Sequence, residues 1–413
     1  MTGTLLIVGA GEAGLNIAVA AREAGHDGPV VLVGGESLGP YQRPPLSKEY
    51  LKEGEAPDPS GLELRSPEFY TDNDIDLRVG RHVHKVDLGY AGGTAVLDDG
   101  SEIVFDKLAL ATGSVPRALH VPGADLPGVL SLRTIGDAHN IRAELDRARH
   151  VVVIGGGFVG LEVAATAAQR GAAVTVVEAA DRILARVVAP PLSEFVLEHH
   201  AAQGIRFLLQ SSVAELRAAD SGGVGSAVLA DGTELPADLV VVGIGAIPTV
   251  DLARDLGLRC EGGVVADEFG RTDHPAVVAA GDCTVQPHPH LPGRLLGLES
   301  VNNAVEQGRS AGRVAAGVDP GRRGTPWFWS TQGELKIQIA GVSDGYDDLV
   351  VRRTEGRITV LYYREGDLIA ADTVSNPRDH NAVKRALGDG HTIDRTAAAD
   401  CERSLKSLVT PIS

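Results

Sequence analysis

Residues 5–25 read LLIVGAGEAGLNIAVAAREAG and residues 151–171 read VVVIGGGFVGLEVAATAAQRG. Each stretch opens on four apolar residues, too few for a membrane and suited to a buried parallel strand. Each then runs through G-x-G-x-x-G into an Ala-rich helical segment that ends at a glycine. The glycines match at a constant offset of 146 residues: Gly9 with Gly155, Gly11 with Gly157, Gly14 with Gly160, Gly25 with Gly171. In such a unit the first glycine permits a tight turn and the second lets backbone approach a pyrophosphate. The third lets helix and strand pack closely. The free N–H groups and positive end of the helix then face the phosphates. A repeat of the whole strand, loop and helix is stronger evidence than either motif alone. The sequence therefore predicts two bound dinucleotides.

A second strand follows each helix, at residues 30–33 and 174–177, and an acid follows each strand, Glu36 and Glu178. An acid there accepts the ribose hydroxyls of an adenosine. Glu178 would also repel a 2′-phosphate, and no arginine follows immediately to welcome one, so the second site reads as one for NADH rather than NADPH. Arg182, four positions on, reads as structural. The copies differ where Asn16 of the first helix becomes Glu162 of the second. A carboxylate facing a ligand's pyrophosphate is costly without a partner. Lys48 is the candidate partner; the alternative is a plain first-turn acid complementing the helix dipole.

At 413 residues the chain is long enough for two or three domains with developed cores. No apolar run approaches the roughly 20 residues that span a bilayer. The apolar N-terminus reads as a strand rather than a signal peptide, so no membrane association is expected. Three cysteines argue for a reducing compartment, and a cytoplasmic location is expected. A net charge of -17 argues against a general nucleic-acid binder. Residues 321–413 carry 13 basic and 13 acidic side chains, so the acidic excess lies in the first 320 residues. A neutral, Arg-containing module on an acidic body reads either as a docking face for an acidic partner or as an ordinary solvated surface.

Between the repeats, residues 39–48 read GPYQRPPLSK. Two prolines are expected to fix an extended turn there, flanked by Arg43 and Lys48 as cations near phosphates or a reactive ring, or as stray surface charges. Residues 74–106 read as a small β-meander with a turn at Asp98-Asp99-Gly100. A buried strand then ends in Ala111-Thr112-Gly113. From Asp231, DGTELPADLVVVGIGAIPT reads as a hairpin and a buried strand leading back to the first domain. A short apolar run leads to Gly281-Asp282, and Glu299-Ser300-Val301-Asn302-Asn303 opens a helix running toward Gly317. Residues 321–413 form a third module with strands at 334–339, 348–353 and 358–363 and helical pattern near the end. Trp327-Phe328-Trp329 opens it; these aromatics read as core or as a lid or interface. His288 and His290 have a spacing a surface metal could use, but a solvated loop is the preferred reading, and no metal site is expected.

Taken together, the G-x-G-x-x-G unit, YQRPPLSK, ATG, GGGFVGLEVAA, AAGDC, ESVNNAVEQ, PWFWS and the final module resemble the NADH-dependent ferredoxin reductases of oxygenase systems. The resemblance spans nearly the whole chain. It implies an α/β, glutathione-reductase-like fold with two Rossmann-like dinucleotide-binding domains and an α+β C-terminal interface domain. The implied boundaries are 1–112 with 243–320 for FAD, 113–242 for NAD, and 321–413 for the interface. Carried over, the FAD contacts are Gly9, Gly11, Ala13, Gly14, Glu36, Arg43, Lys48, Val83, Ala111, Arg133, Asp282, Val301 and Trp329. Those of NAD are Gly155, Gly157, Gly160 and Glu178. Lys48 and Glu162 look like the catalytic pair beside the flavin N5, and Trp329 like the aromatic near the flavin edge where ferredoxin docks. Arg309 and Lys406 lie where the family carries docking cations. Thr331 stands where the family has an aspartate, which puts partner choice in doubt. The implied reaction passes a hydride from NADH to FAD, then single electrons to a [2Fe–2S] ferredoxin serving a cytochrome P450 or a ring-hydroxylating dioxygenase.

Three rival readings share the fold. A thiol-dependent reductase needs a redox cysteine in the first domain; the first here is Cys260, then Cys283 and Cys401, with no C-x-x-C. A non-enzymatic, signalling flavoprotein of the apoptosis-inducing-factor type is opposed by the compact length and the absence of a targeting segment. An NADH oxidase using another acceptor is the remaining alternative.

Overall fold

The computed structural model describes residues 3–52, 54 and 57–411. The chain gathers into two compact units: Met1–Gln42, Ser60–Val115 and Ile247–Pro326 in one, and Arg43–Pro59, Pro116–Ala246 and Trp327–Ser413 in the other. Residues 43–59, early in the chain, thus belong to the second unit.

The first unit is built on an all-parallel sheet in the order Val277–Ala279, Lys107–Leu110, Leu5–Val8, Val30–Gly34, Ile75–Val79. Its central strands are buried at every position, which explains their unbroken apolar character. The first loop helix, Glu12–Glu23, packs on the helix Val301–Ala315 through small residues. A Cβ on Gly312 would fall 2.4 Å from the Ile17 carbonyl oxygen, so the two backbones meet only because that side chain is missing. The expected meander is present as Val83–Gly89, Gly92–Leu97 and Glu102–Phe105, with its turn at Gly100. Ile75–Val79 is not part of it; this segment pairs in parallel with Val30–Gly34. As an edge strand with one solvated side, it shows the same alternation as a meander strand, and periodicity cannot separate the two.

The second unit repeats the plan, with a parallel sheet in the order Arg206–Leu208, Ala173–Val177, His150–Ile154, Leu239–Val242, Val129–Ser131. The second loop helix, Phe158–Gln169, follows the central strand. The hairpin turn at residues 231–232 joins Val224–Leu229 to Glu234–Pro236 as expected. The C-terminal part is an antiparallel sheet in the order Trp327–Gln332, Leu335–Gly341, Asp367–Val374, Arg357–Arg364, Asp348–Thr354, with the helix Pro377–Gly388 against it. The three strands read from the sequence are there. Trp327–Gln332 and Asp367–Val374 were not read as strands, because Ser330, Gln332, Asp372 and Thr373 put polar groups where the pattern requires apolar ones.

Residues 44–47 form a 3-10 helix, Pro44–Ser47, rather than an extended turn. The fixed proline φ suits a first helical turn as well as an extended one, and the missing N–H costs nothing there. Among the described residues, no helix is long and apolar enough to cross a membrane.

Candidate functional site

In each G-x-G-x-x-G loop two glycines are demanded by the fold itself. Gly9, at φ +113°, would place a Cβ 2.0 Å from the Ala111 carbonyl oxygen, and Gly14 would place one 1.9 Å from that of Gly9. Gly155, at φ +105°, and Gly160 meet Gly243 and Gly155 oxygens, each at 2.4 Å. The middle glycines differ. A Cβ on Gly11 would meet nothing within 4 Å, and one on Gly157 only the Gly243 oxygen at 3.9 Å. Both are helix N-caps in extended conformation, with no side chain capping the first-turn N–H groups. Open space before uncapped donors at a positive helix end fits a pyrophosphate at each loop. The residues present therefore fit two dinucleotides.

The acids expected at the ribose hydroxyls are both held by protein donors. In the first unit the Glu36 carboxylate accepts from the Tyr41 hydroxyl at 2.5 Å, and its carbonyl accepts the Gly80 N–H. The segment continues through His82, whose ring lies against Gly35, to Val83 at the head of its strand. Ala13 lies against Gly281 at the first loop, and Asp282 next to it accepts from the Ser114 hydroxyl at 3.4 Å. Ala111 covers the turn at Gly9. Val301 begins its helix behind the N-cap Ser300, whose hydroxyl accepts from the Asn303 N–H. In the second unit Glu178 accepts from the backbone N–H groups of Gly156 at 2.6 Å and Ala180 at 2.8 Å, which fixes it at the lip of the second loop. Arg182 donates to the Val188 and Ala185 carbonyls, the structural role expected of it.

The second unit also brings together Lys48 and Glu162. The lysine Nζ lies 2.8 Å from Glu162 Oε2, with side chains 13% and 5% exposed. Glu162 is not a first-turn acid; the first turn of its helix holds none. Its carboxylate points into the interior, where Ser47 donates to Oε2 and Ser330 donates to Oε1 at 2.6 Å. Lys48 also donates to the Pro44 carbonyl at 3.0 Å. A buried carboxylate holding one cation and two hydroxyls is fully compensated. The two serines were missed in the sequence, although each adjoins a residue picked for the site: Ser47 precedes Lys48 and Ser330 follows Trp329. Arg43 donates to the carbonyl of Arg133, whose N–H in turn donates to Asp137 of the capping box at Thr134.

Trp329 and Trp327 stack at 5.2 Å on one face of an edge strand, both half-buried, with Lys384 over the Trp327 ring at 4.2 Å. They are not core but a partly exposed aromatic pair. Arg309, in the first unit, and Lys406, in the second, are exposed. His288 is buried rather than solvated, and its Nδ1 accepts the His290 and Leu291 N–H groups, so the loop wraps around the ring. Cys260, Cys283 and Cys401 are all free; burial raises the Cys283 thiol, which makes it a poor nucleophile.

Residues 3–308 match the family model described as pyridine nucleotide-disulphide oxidoreductase, and residues 327–409 match the one described as reductase C-terminal. The chain is 40% identical to rhodocoxin reductase of Rhodococcus erythropolis, over 98% of this chain and 94% of that one. Among solved structures, the ferredoxin reductase for the CYP199A2 system from Rhodopseudomonas palustris superposes with a TM-score of 0.93 at 39% identity. The match covers 98% of this chain and all of that one. Putidaredoxin reductase, in its covalent complex with putidaredoxin, gives 0.93 at 35% identity over 98% of each chain. With two dinucleotide loops, no paired cysteine among the described residues and the same C-terminal module, the chain belongs to the pyridine nucleotide-disulphide oxidoreductase family, in its ferredoxin-reductase branch.

Proposed function

We propose that the protein is a cytoplasmic NADH:ferredoxin oxidoreductase that carries FAD and passes electrons to a [2Fe–2S] ferredoxin serving a cytochrome P450 or a ring-hydroxylating dioxygenase. The observation that carries this reading is the buried Lys48–Glu162 pair, its carboxylate on the helix that follows the second dinucleotide loop, in a chain whose cysteines are unpaired. Bound FAD supplies the conversion of a two-electron donor's equivalents into single electrons.

The chain's own residues bind and orient. Gly9, Gly11, Ala13, Gly14 and Ala111 would form the FAD pyrophosphate cradle, Glu36 would hold the adenosine ribose, and Asp282 the ribityl chain. Arg43, Val83, Arg133, Val301 and Trp329 complete that set, and the positive end of the helix at Val301 would stabilise negative charge near the flavin pyrimidine. Gly155, Gly157, Gly160 and Glu178 would hold NADH. Lys48 would be the cation beside the flavin N5, with Glu162 holding it in position. In this reading the FAD part comprises 1–112 and 243–320, the NAD part 113–242, and the interface part 321–413. The aromatic pair Trp327/Trp329 and the exposed Arg309 and Lys406 would meet an acidic ferredoxin, with Thr331 shaping the choice among ferredoxins.

The test is NADH-driven cytochrome c reduction by the FAD-loaded protein, with and without a panel of [2Fe–2S] ferredoxins, while oxygen uptake is recorded. Strong dependence on one ferredoxin with little oxygen uptake is expected. Fast oxygen uptake that no ferredoxin alters would replace this reading with an oxidase. Slow flavin reduction with a persistent charge-transfer band would replace it with a signalling flavoprotein.

A further inference from the structure

Behind the Lys48–Glu162 pair runs a buried chain of hydrogen bonds that the reaction as proposed does not use. Ser330 Oγ lies 2.6 Å from Glu162 Oε1, Gln332 Nε2 lies 3.2 Å from Ser330 Oγ, and His200 Nε2 lies 2.8 Å from Gln332 Oε1. All four residues are at most 4% exposed. They come from three elements: the second loop helix, alternate positions of the edge strand Trp327–Gln332, and the last turn of the helix Pro190–Ala202.

The chain has only one self-consistent direction. An ionised carboxylate can only accept, so the single Ser330 proton goes to Glu162 and the Ser330 lone pair accepts from the Gln332 amide. The Gln332 carbonyl then faces His200 and can only accept, which requires a proton on His200 Nε2. Burial lowers the affinity of this histidine for a second proton, so it is held neutral as the Nε2–H tautomer. Every donor points toward the Glu162 carboxylate, and bonds aligned head to tail polarise one another.

We infer that Ser330, backed by Gln332 and His200, is a positioning residue that fixes the Glu162 carboxylate and so aims Lys48. The inference rests on the NADH-reductase reading above for what Lys48 does, but not for the direction of the chain. Without the Ser330 hydroxyl, Oε1 would be buried with no donor. The carboxylate would then rotate to share Lys48 between its two oxygens, pulling the ammonium toward the interior.

The experiment is stopped-flow reduction by NADH of FAD-loaded Ser330→Ala, with the flavin midpoint potential measured alongside. The limiting reduction rate is expected to fall about tenfold, the effect of losing one hydrogen bond to a charged group. The apparent Kd for NADH should stay unchanged, the midpoint potential should shift, and Ser330→Thr should restore both. A wild-type rate and potential in Ser330→Ala would overturn the inference. Should Ser330→Ala fail to retain FAD, Gln332→Leu, which removes the support behind the Ser330 hydroxyl, is read in the same way. Nitrogen-15 histidine NMR on the FAD-free protein is the second arm. A neutral His200 with its proton on Nε2, lost from that position in Gln332→Leu, is expected, and a proton on Nδ1 or a charged ring would overturn the inference. If the wild-type protein is not reduced by NADH at all, the functional reading falls, and the NMR arm alone decides the direction of the chain.

Discussion

Asn16 and Glu162 occupy the same position in two copies of one strand, loop and helix, and their side chains are put to opposite uses. Asn16 turns back on its own helix, donating to the Glu12 carbonyl at 2.8 Å and to the Glu12 carboxylate at 3.2 Å. Glu162 reaches away from its helix to Ser47 and Lys48, more than a hundred residues earlier in the chain, and to Ser330, 168 residues later. The backbone around them is nearly the same, because the same glycines are forced by the same close approaches. A dinucleotide unit thus sets its geometry with glycines and an apolar run. Its chemistry is written at one helix position by whatever else the chain packs there.

The largest effect should come from the glycines that set the shared backbone. Gly9→Ala combines a positive φ with a Cβ 2.0 Å from backbone and should cost about 4 kcal/mol or more. Gly11→Ala should change the unfolding free energy of the FAD-free protein by no more than about 1 kcal/mol, since the space is open and only a glycine N-cap is lost. Its FAD content should nevertheless collapse. Unfolding curves and flavin absorbance on both variants check this, and a Gly11→Ala protein that keeps its FAD would show that the open space is not the ligand's.

Next in size is the pair of residues that differ. Glu162→Ala strands Lys48 as a buried, uncompensated cation, and urea unfolding should show a loss of about 3–5 kcal/mol. Asn16→Ala removes only bonds within one helix and should cost less than about 1 kcal/mol. Equal losses in the two variants would end the contrast between the copies.

The last effect, spread over several pH units, separates Glu162 from a second buried carboxylate of the same unit, Asp372. Among the described residues it has no cation; Tyr362 donates to one of its oxygens, the other has no partner among them, and burial raises its pKa to about 7. In the folded state it binds a proton that the unfolded chain releases near pH 4. Its contribution to stability is therefore fully present below about pH 4 and is lost as pH rises through about 7, with a slope of at most about 1.4 kcal/mol per pH unit. His380, lowered to about 4 by burial, acts in the opposite sense over part of that range, so the wild-type curve alone is not diagnostic. The difference between wild type and Asp372→Asn isolates the term: wild type should lose stability relative to the variant from pH 4 to 7. A flat difference would mean that Asp372 is ionised throughout.

The repeated loops were legible in the sequence because close approach of backbone leaves no residue but glycine at Gly9, Gly14, Gly155 and Gly160, and buried parallel strands need unbroken apolar runs. The acids Glu36 and Glu178 were picked by their offset from the loops, and the helix at Val301 was read from the run at residues 299–303 that opens it. The Lys48–Glu162 pair was legible in part, since a carboxylate near a pyrophosphate is costly without a partner and Lys48 was the candidate cation. The edge strand Ile75–Val79, the 3-10 helix after Arg43 and the buried His288 were misread, because each local pattern fits two conformations and only packing chooses between them. Ser47, Ser330, Gln332 and His200 could not be read together at all. Serine, glutamine and histidine are common surface residues, and nothing along the chain marks these four as buried. Sequence alone determined the two dinucleotide-binding frames, since each is written in one contiguous stretch of apolar strand, glycine loop, helix and second strand. Tertiary structure decided which distant side chains close around Glu162, because a buried charge is satisfied by whatever donors the fold brings within about 3 Å.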